Sequence, residues 1–218
     1  EEPLQRHARE RVDHAVHVLV GQRGEHHAGD ARDRTRLQPR RQFARRLRVV
    51  ADIDADLHEP EQIIEAAGNG TLGVELFDTA SGMSVGLNRD RRFGHASSFK
   101  FSLAALLLQR HAAGLIDADK RVTWTEADML EYAPFTRERI ATGATLRELA
   151  RATQITSDNP AANILIREMG GIAVWRSWWP TFGDTTTVIS RLEPDLNTAL
   201  PNDPRDTCLP DQTIANIR

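Results

Sequence analysis

From Thr71 to Asp78 apolar and polar side chains alternate well enough for a half-buried strand. Met83 to Asn88 reads as its partner, returning across an Ala80-Ser81-Gly82 turn. Beyond that hairpin the pattern becomes helical. Phe99 to Gly114 is apolar on most sides, which predicts a central buried helix rather than a surface one. Thr145, with Glu148 three residues on, forms a capping box that opens a second helix. Asn159-Pro160 opens a third, which Gly170-Gly171 ends. Ile172 to Phe182 places Trp175, Trp178 and Trp179 in the core and breaks at Pro180. Upstream, Glu59-Pro60-Glu61 starts a short helix that runs through Ile63-Ile64 and stops at Gly68-Asn69-Gly70. Arg191 to Asp206 is a long, Pro-punctuated loop of the compact kind that often carries function. The predicted class is α+β, a helical domain plus an incomplete antiparallel sheet.

Composition changes this picture at one place, a seam near residue 58. Residues 1–58 hold 12 Arg, 10 acidic residues, six of the eight His and one aromatic, Phe43. That segment carries about +2 and the remainder about -5, from chain totals of 28 basic and 31 acidic residues. Apart from Val16 to Val20 and Val49 to Val50 it shows no sustained period, and it is expected to be a poorly ordered extension or sequence not native to the domain. Near-balanced charge and missing aromatics speak against a nucleic-acid-binding arm. His26-His27 has no third ligand at metal spacing, so these are surface histidines. Cys208 is the only cysteine, which rules out an intramolecular disulfide. Nothing reads as a signal peptide, and the longest apolar stretch, Leu103 to Leu108, is too short to span a bilayer. The seam divides an extension over 1–58 from a folded domain that begins at residue 59.

Three polar clusters carry the chemistry. Ser97-Ser98-Phe99-Lys100 opens the central helix, Ser157-Asp158-Asn159 starts 60 residues after Ser97, and Glu193 lies 96 residues after it. A serine hydroxyl is a poor nucleophile until a base takes its proton, and Lys100 sits three residues along the same helix face. The helix's positive end would favour developing anionic character on Ser97, and a buried lysine loses its proton readily. Alone, Ser97 reads as an N-cap and Lys100 as a snorkelling side chain. Ser157 could pass a proton to a leaving nitrogen and Asn159 could fix a substrate carbonyl, with Asp158 a structural acceptor; alone, the three read as helix caps. Glu193 and Asn197, four apart, would aim at one point if a helical turn joins them, a clamp for a water that breaks an acyl-ester. Arg191 and Asp206 bracket the loop and could pair across its neck.

These clusters, with Tyr132-Ala133-Pro134 and Asn202-Asp203-Pro204-Arg205-Asp206-Thr207, resemble a class A serine β-lactamase over about residues 59–207. The resemblance implies the β-lactamase/transpeptidase-like fold, as a partial catalytic domain over 59–207 followed by a divergent tail over 208–218. It also implies a periplasmic or secreted enzyme that opens the amide of penicillin- or cephalosporin-type antibiotics through an acyl-serine. Ser97 is then the nucleophile, and Lys100 and Glu193 are rival candidates for activating it. Glu193 with Asn197 positions the deacylating water, Ser157 relays the proton, Asn159 contacts substrate and Tyr132 borders the site. The expected partner is a β-lactam, with no cofactor, metal, nucleic acid or membrane, and a monomeric state.

The family's third motif, Lys-Thr-Gly on a central strand, does not occur; Lys100 and Lys120 are the only lysines. That strand would supply one of two oxyanion donors, whose loss costs roughly 2.7–4 kcal/mol of transition-state stabilisation. Its absence leaves the sheet a two-stranded hairpin. Separately, Cys208 to Arg218 is expected to depart from the helix that the family has there. Weak or no hydrolysis is the expectation. The alternative is an impaired remnant, or a penicillin-binding, transpeptidase-like protein that acylates without efficient turnover; the Glu193–Asn197 pair favours hydrolysis over transpeptidation.

Overall fold

A computed structural model describes residues 15–21, as backbone, together with 71–77, 82, 84–198, 200 and 202–218. The Glu59–Ile64 helix expected from sequence lies outside these residues, as do His26-His27 and most of the Ala80–Gly82 turn. Strand β2, Thr71–Phe77, pairs antiparallel with β3, Ser84–Leu87, in register Val74 to Leu87 through Phe77 to Ser84. The sheet has a third strand. Ala15–Gly21 forms β1 and pairs antiparallel along the other edge of β2, from Ala15 opposite Phe77 to Gly21 opposite Thr71. The expectation of a bare two-stranded hairpin is therefore corrected: the one stretch of the extension with a strand-like run of Val and Leu supplies the missing partner, because a hairpin alone is marginal. Gly73 permits the close approach of Phe93 to the sheet, since a Cβ there would run into its ring.

The helices follow. A 3-10 turn, Ala96–Phe99, leads directly into α1, Lys100–Ala112. A short strand pair joins Arg121–Val122 to Ala144–Thr145, after which α2 runs over Leu146–Ile155 from the Thr145–Glu148 capping box. Helix α3, Asn159–Glu168, starts from the Asp158 side chain, which accepts from the Ala161 N–H at 2.8 Å. Gly170 and Gly171 take positive φ and release the chain into α4, Ile172–Trp178. A 3-10 turn over Trp179–Phe182 then carries Pro180 in its first positions, where no amide donor is needed. The expectation that the tail departs from a helix is corrected: Pro210–Ile217 forms α5, which begins with Pro in its first turn, buries Thr213 and Ile214 and packs against β1 and β2. Phe93–Gly94 pairs with Thr207–Cys208, tying the chain before the first polar cluster to the chain after the long loop.

Helix α1 is the axis of the core. Its Leu103, Leu106 and Leu107, with Phe99 just before it, are buried against Leu146 and Leu149 of α2, Ile164 and Leu165 of α3, and Trp175. Each such side chain contributes roughly 1.5–3 kcal/mol of hydrophobic stabilisation. The helix is not enclosed on every side as its composition implies, because Leu108 is 50% exposed. Trp175 and Trp179 are buried, whereas Trp178 is half-buried and donates its indole N–H to Gln109. Trp175 reaches Ser102 at 2.9 Å, and the Ser102 hydroxyl reaches the Phe99 carbonyl at 2.6 Å. A buried side-chain chain thus pins the first turn of α1. No helix among the described residues is long and apolar enough to cross a membrane.

Leu103→Ala should cost about 2–5 kcal/mol in urea unfolding, by lost burial and an incompletely collapsed cavity. Leu108→Ala, at an exposed position of the same helix, should stay within about 0.5 kcal/mol of the parent. Equal losses at the two sites would contradict this assignment of the core.

Candidate active site

The junction of the 3-10 turn with α1 sets Ser97 and Lys100 one helical turn apart, and the Lys100 ammonium reaches the Ser97 hydroxyl at 3.1 Å. Ala96, the residue before, has φ of 42°, a left-handed conformation that L residues rarely adopt and that costs of order 1–3 kcal/mol. The fold holds this turn from outside: the His95 N–H donates to the Asp206 carbonyl at 2.9 Å, and Gln154 Nε2 donates to the Lys100 carbonyl at 2.8 Å.

The second cluster lies where α2 passes into α3. Ser157 also takes a left-handed φ, 58°, which turns the chain so that both its carbonyl and its hydroxyl face Lys100 Nζ, at 2.7 and 3.0 Å. Asn159 adds its Oδ1 at 2.6 Å. Asp158 faces the other way, fully buried; it accepts from the Phe135 and Thr136 amides, the Thr136 hydroxyl and the Ala161 amide. It is thus a structural acceptor that fixes the segment after Tyr132 to the start of α3. The Tyr132 side chain is exposed, and its carbonyl accepts from the Asn159 amide.

The third cluster comes from the long loop. Lys100 Nζ lies 3.1 Å from Glu193 Oε1, an ionic contact between two buried side chains, and Glu193 Oε2 accepts from Asn197 Nδ2 at 2.6 Å. A 3-10 turn over Asp195–Asn197 makes that meeting possible. Arg191 and Asp206 pair across the neck at 2.6 Å, with Asp206 also accepting the Ser190 and Arg191 amides. The structure therefore brings Ser97, Lys100, Ser157, Asn159, Glu193 and Asn197 into one continuous cluster, with Arg191 and Asp206 holding the loop.

Lys100 Nζ faces five oxygens but has at most three N–H donors as an ammonium. Burial pushes its pKa below the ordinary lysine value of 10.5, and the nearby Glu193 and Asp158 carboxylates oppose that shift. An amine in this position can accept a proton from either serine. The cluster therefore has the parts of an activated nucleophile, a proton relay and a carboxylate held by an amide.

Sequence reasoning missed Asn163. Its amide clamps Glu193 at two points, Oδ1 accepting from the Glu193 N–H at 3.0 Å and Nδ2 donating to its carbonyl at 2.8 Å. The signal was available: Asn163 follows Asn159 by one turn of α3, so both lie on the site-facing side. Among the described residues no group of three His, Cys, Asp or Glu could hold a metal.

A family model for the beta-lactamase enzyme family matches residues 58–215. Beta-lactamase L2 of Stenotrophomonas maltophilia is 41% identical over 155 residues, 71% of this chain and 51% of its own length. Beta-lactamase ROB-1 of Haemophilus influenzae is 36% identical over 154 residues, 71% of this chain and 50% of its own. A solved class A beta-lactamase of the last common ancestor of Gram-negative bacteria superposes with a TM-score of 0.71 at 40% identity, covering 73% of this chain and 61% of that one. The chain spans about half the length of the curated relatives it matches.

Removing the Asp206 carboxylate strands Arg191 and two loop amides together. Asp206→Ala should destabilise the fold by about 3–5 kcal/mol in urea unfolding, the range for breaking a buried pair. A loss under about 1 kcal/mol would mean that the neck is held elsewhere.

Proposed function

The chain belongs to the beta-lactamase enzyme family, and from that premise we propose that Ser97 is acylated by β-lactams and that Glu193 and Asn197 serve the hydrolysis of the resulting ester. The observation that carries this reading is Lys100 Nζ lying 3.1 Å from both the Ser97 hydroxyl and the Glu193 carboxylate. Acylation begins with Lys100, as the neutral amine, taking the Ser97 proton while Oγ bonds to the lactam carbonyl carbon. The C–N bond then breaks, and the ring nitrogen takes the Ser157 hydroxyl proton, which Lys100 replaces across 3.0 Å. Asn159 contacts the substrate and Tyr132 borders the entrance. In the second half Glu193, oriented by Asn197 and clamped by Asn163, takes a proton from the water that adds to the ester carbon; the C–Oγ bond then breaks, and the proton passes from Glu193 by way of Lys100 back to Ser97 Oγ, freeing the acid product. A periplasmic or secreted setting and a monomer go with this reading.

The sequence holds no Lys-Thr-Gly, so one oxyanion donor and the cation that would meet the substrate carboxylate are not supplied by these residues. For these residues alone the second reading is acylation with slow turnover.

Intact-mass spectrometry of the purified chain mixed with a penicillin should show one adduct, absent in Ser97→Ala and long-lived in Glu193→Gln. An adduct that survives Ser97→Ala, or no adduct in the parent chain, would overturn the assignment.

The sign of the pH dependence follows from Lys100. Its folded pKa is lowered, so the amine form accumulates below pH 10.5 as pH rises. Acylation should therefore climb with pH and level off below that value. Lys100→Arg should remove the climb, because a guanidinium does not deprotonate in this range. A pH-independent rate in the parent chain would exclude Lys100 as the base.

A further inference from the structure

We propose that His95 is a positioning residue that couples the Ser97 turn to the neck of the loop bearing Glu193. Its backbone works in both directions. The His95 N–H donates to the Asp206 carbonyl at 2.9 Å, while the His95 carbonyl accepts from the Ser98 amide at 3.1 Å and the Ser98 hydroxyl at 2.6 Å. One residue therefore bonds to the acid that closes the loop and to the residue that follows the nucleophile.

The side chain fixes that backbone. His95 is 4% exposed, its ring stacks on Trp179 with centroids 6.5 Å apart and planes 28° from parallel, and the Val188 backbone hydrogen-bonds to it. Val188 in turn pairs with Thr207, its N–H meeting the Thr207 carbonyl at 2.9 Å, so the ring rests against the far side of the same neck. The charged groups facing the ring are Asp206 and Asp184. Burial nonetheless pushes its pKa down to about 4, so the imidazole is neutral at pH 7, and Nε2 has no hydrogen-bonding partner among the described residues. The ring acts here as a shaped wedge. Ala96 next to it is held at positive φ, and relaxing the wedge would let that residue return toward an ordinary conformation, moving Ser97 away from Lys100.

The test compares the parent chain with His95→Ala and His95→Gln at pH 7, by two readouts. The first is hydrogen exchange of peptides spanning residues 95–99 and 188–207. His95→Ala should raise exchange in these two segments while leaving α2 and α3 near the parent, and His95→Gln, which keeps bulk and a side-chain N–H, should restore it. Unchanged exchange in both segments, or an equal rise across the whole chain, would overturn the proposal. The second readout rests on the acylation reading: the rate of penicillin adduct formation should fall roughly tenfold in His95→Ala, the scale expected for a nucleophile moved by a fraction of an ångström, and recover in His95→Gln. A parent chain that takes no penicillin would sink the acylation reading, while exchange would still decide the role of His95. If His95→Ala fails to fold, His95→Asn takes its place in both readouts, with the same expected rise and fall.

Discussion

Everything at the centre of this molecule follows from burying one ammonium group. Lys100 is 2% exposed, and a lone charge so placed would cost several kcal/mol. The fold answers with five oxygens drawn from three separate stretches of chain. The 3-10 turn gives the Ser97 hydroxyl, the α2–α3 junction gives two oxygens of Ser157 and one of Asn159, and the long loop gives Glu193. Five acceptors exceed the three donors of an ammonium, and burial lowers the pKa of the lysine from its ordinary value. The interaction that stabilises the buried charge is thus the same one that assembles the candidate site.

The cost of that arrangement appears in the backbone. Ala96, Ser157 and Asp206 are all non-glycine residues at positive φ, and all three lie beside the cluster or at the loop neck. Each is held by bonds from outside its own element: Ala96 between the latched His95 and α1, Ser157 by Lys100, and Asp206 by Arg191 and the His95 amide. Strain of this kind persists only where the surroundings over-determine it. The apolar packing of α1 against α2, α3 and Trp175 supplies that rigidity.

Much of the helical framework was legible in the sequence, because its signals are local. The Thr145–Glu148 box, the Asn159-Pro160 start and the Gly170-Gly171 stop each act within one turn of chain, and each stands where the pattern placed it. The polar clusters were legible for the same reason. What sequence could not give was the partner across space. Asn163 looks like any surface amide until Glu193 is folded onto it, and His95 is one histidine among eight. The tail failed differently: Cys208 to Arg218 is expected to depart from a helix, yet Pro210 opens α5, whose Ile214 finds a buried place only once the sheet is present.

The sheet shows how tertiary demand overrides composition. A segment rich in arginine and histidine, with little periodicity, contributes Ala15–Gly21 as a strand along β2 because a hairpin edge offers a row of unmet amides and carbonyls to any run of strand formers within reach. Those seven residues are the least polar stretch of the first 58, with one histidine among Ala, Val, Leu and Gly. Backbone pairing needs little else. The polar cluster makes the opposite demand, since its contacts need the ammonium of Lys100 and the carboxylate of Glu193 at fixed places. The sheet edge is filled by shape and backbone chemistry, and the candidate site by side-chain identity.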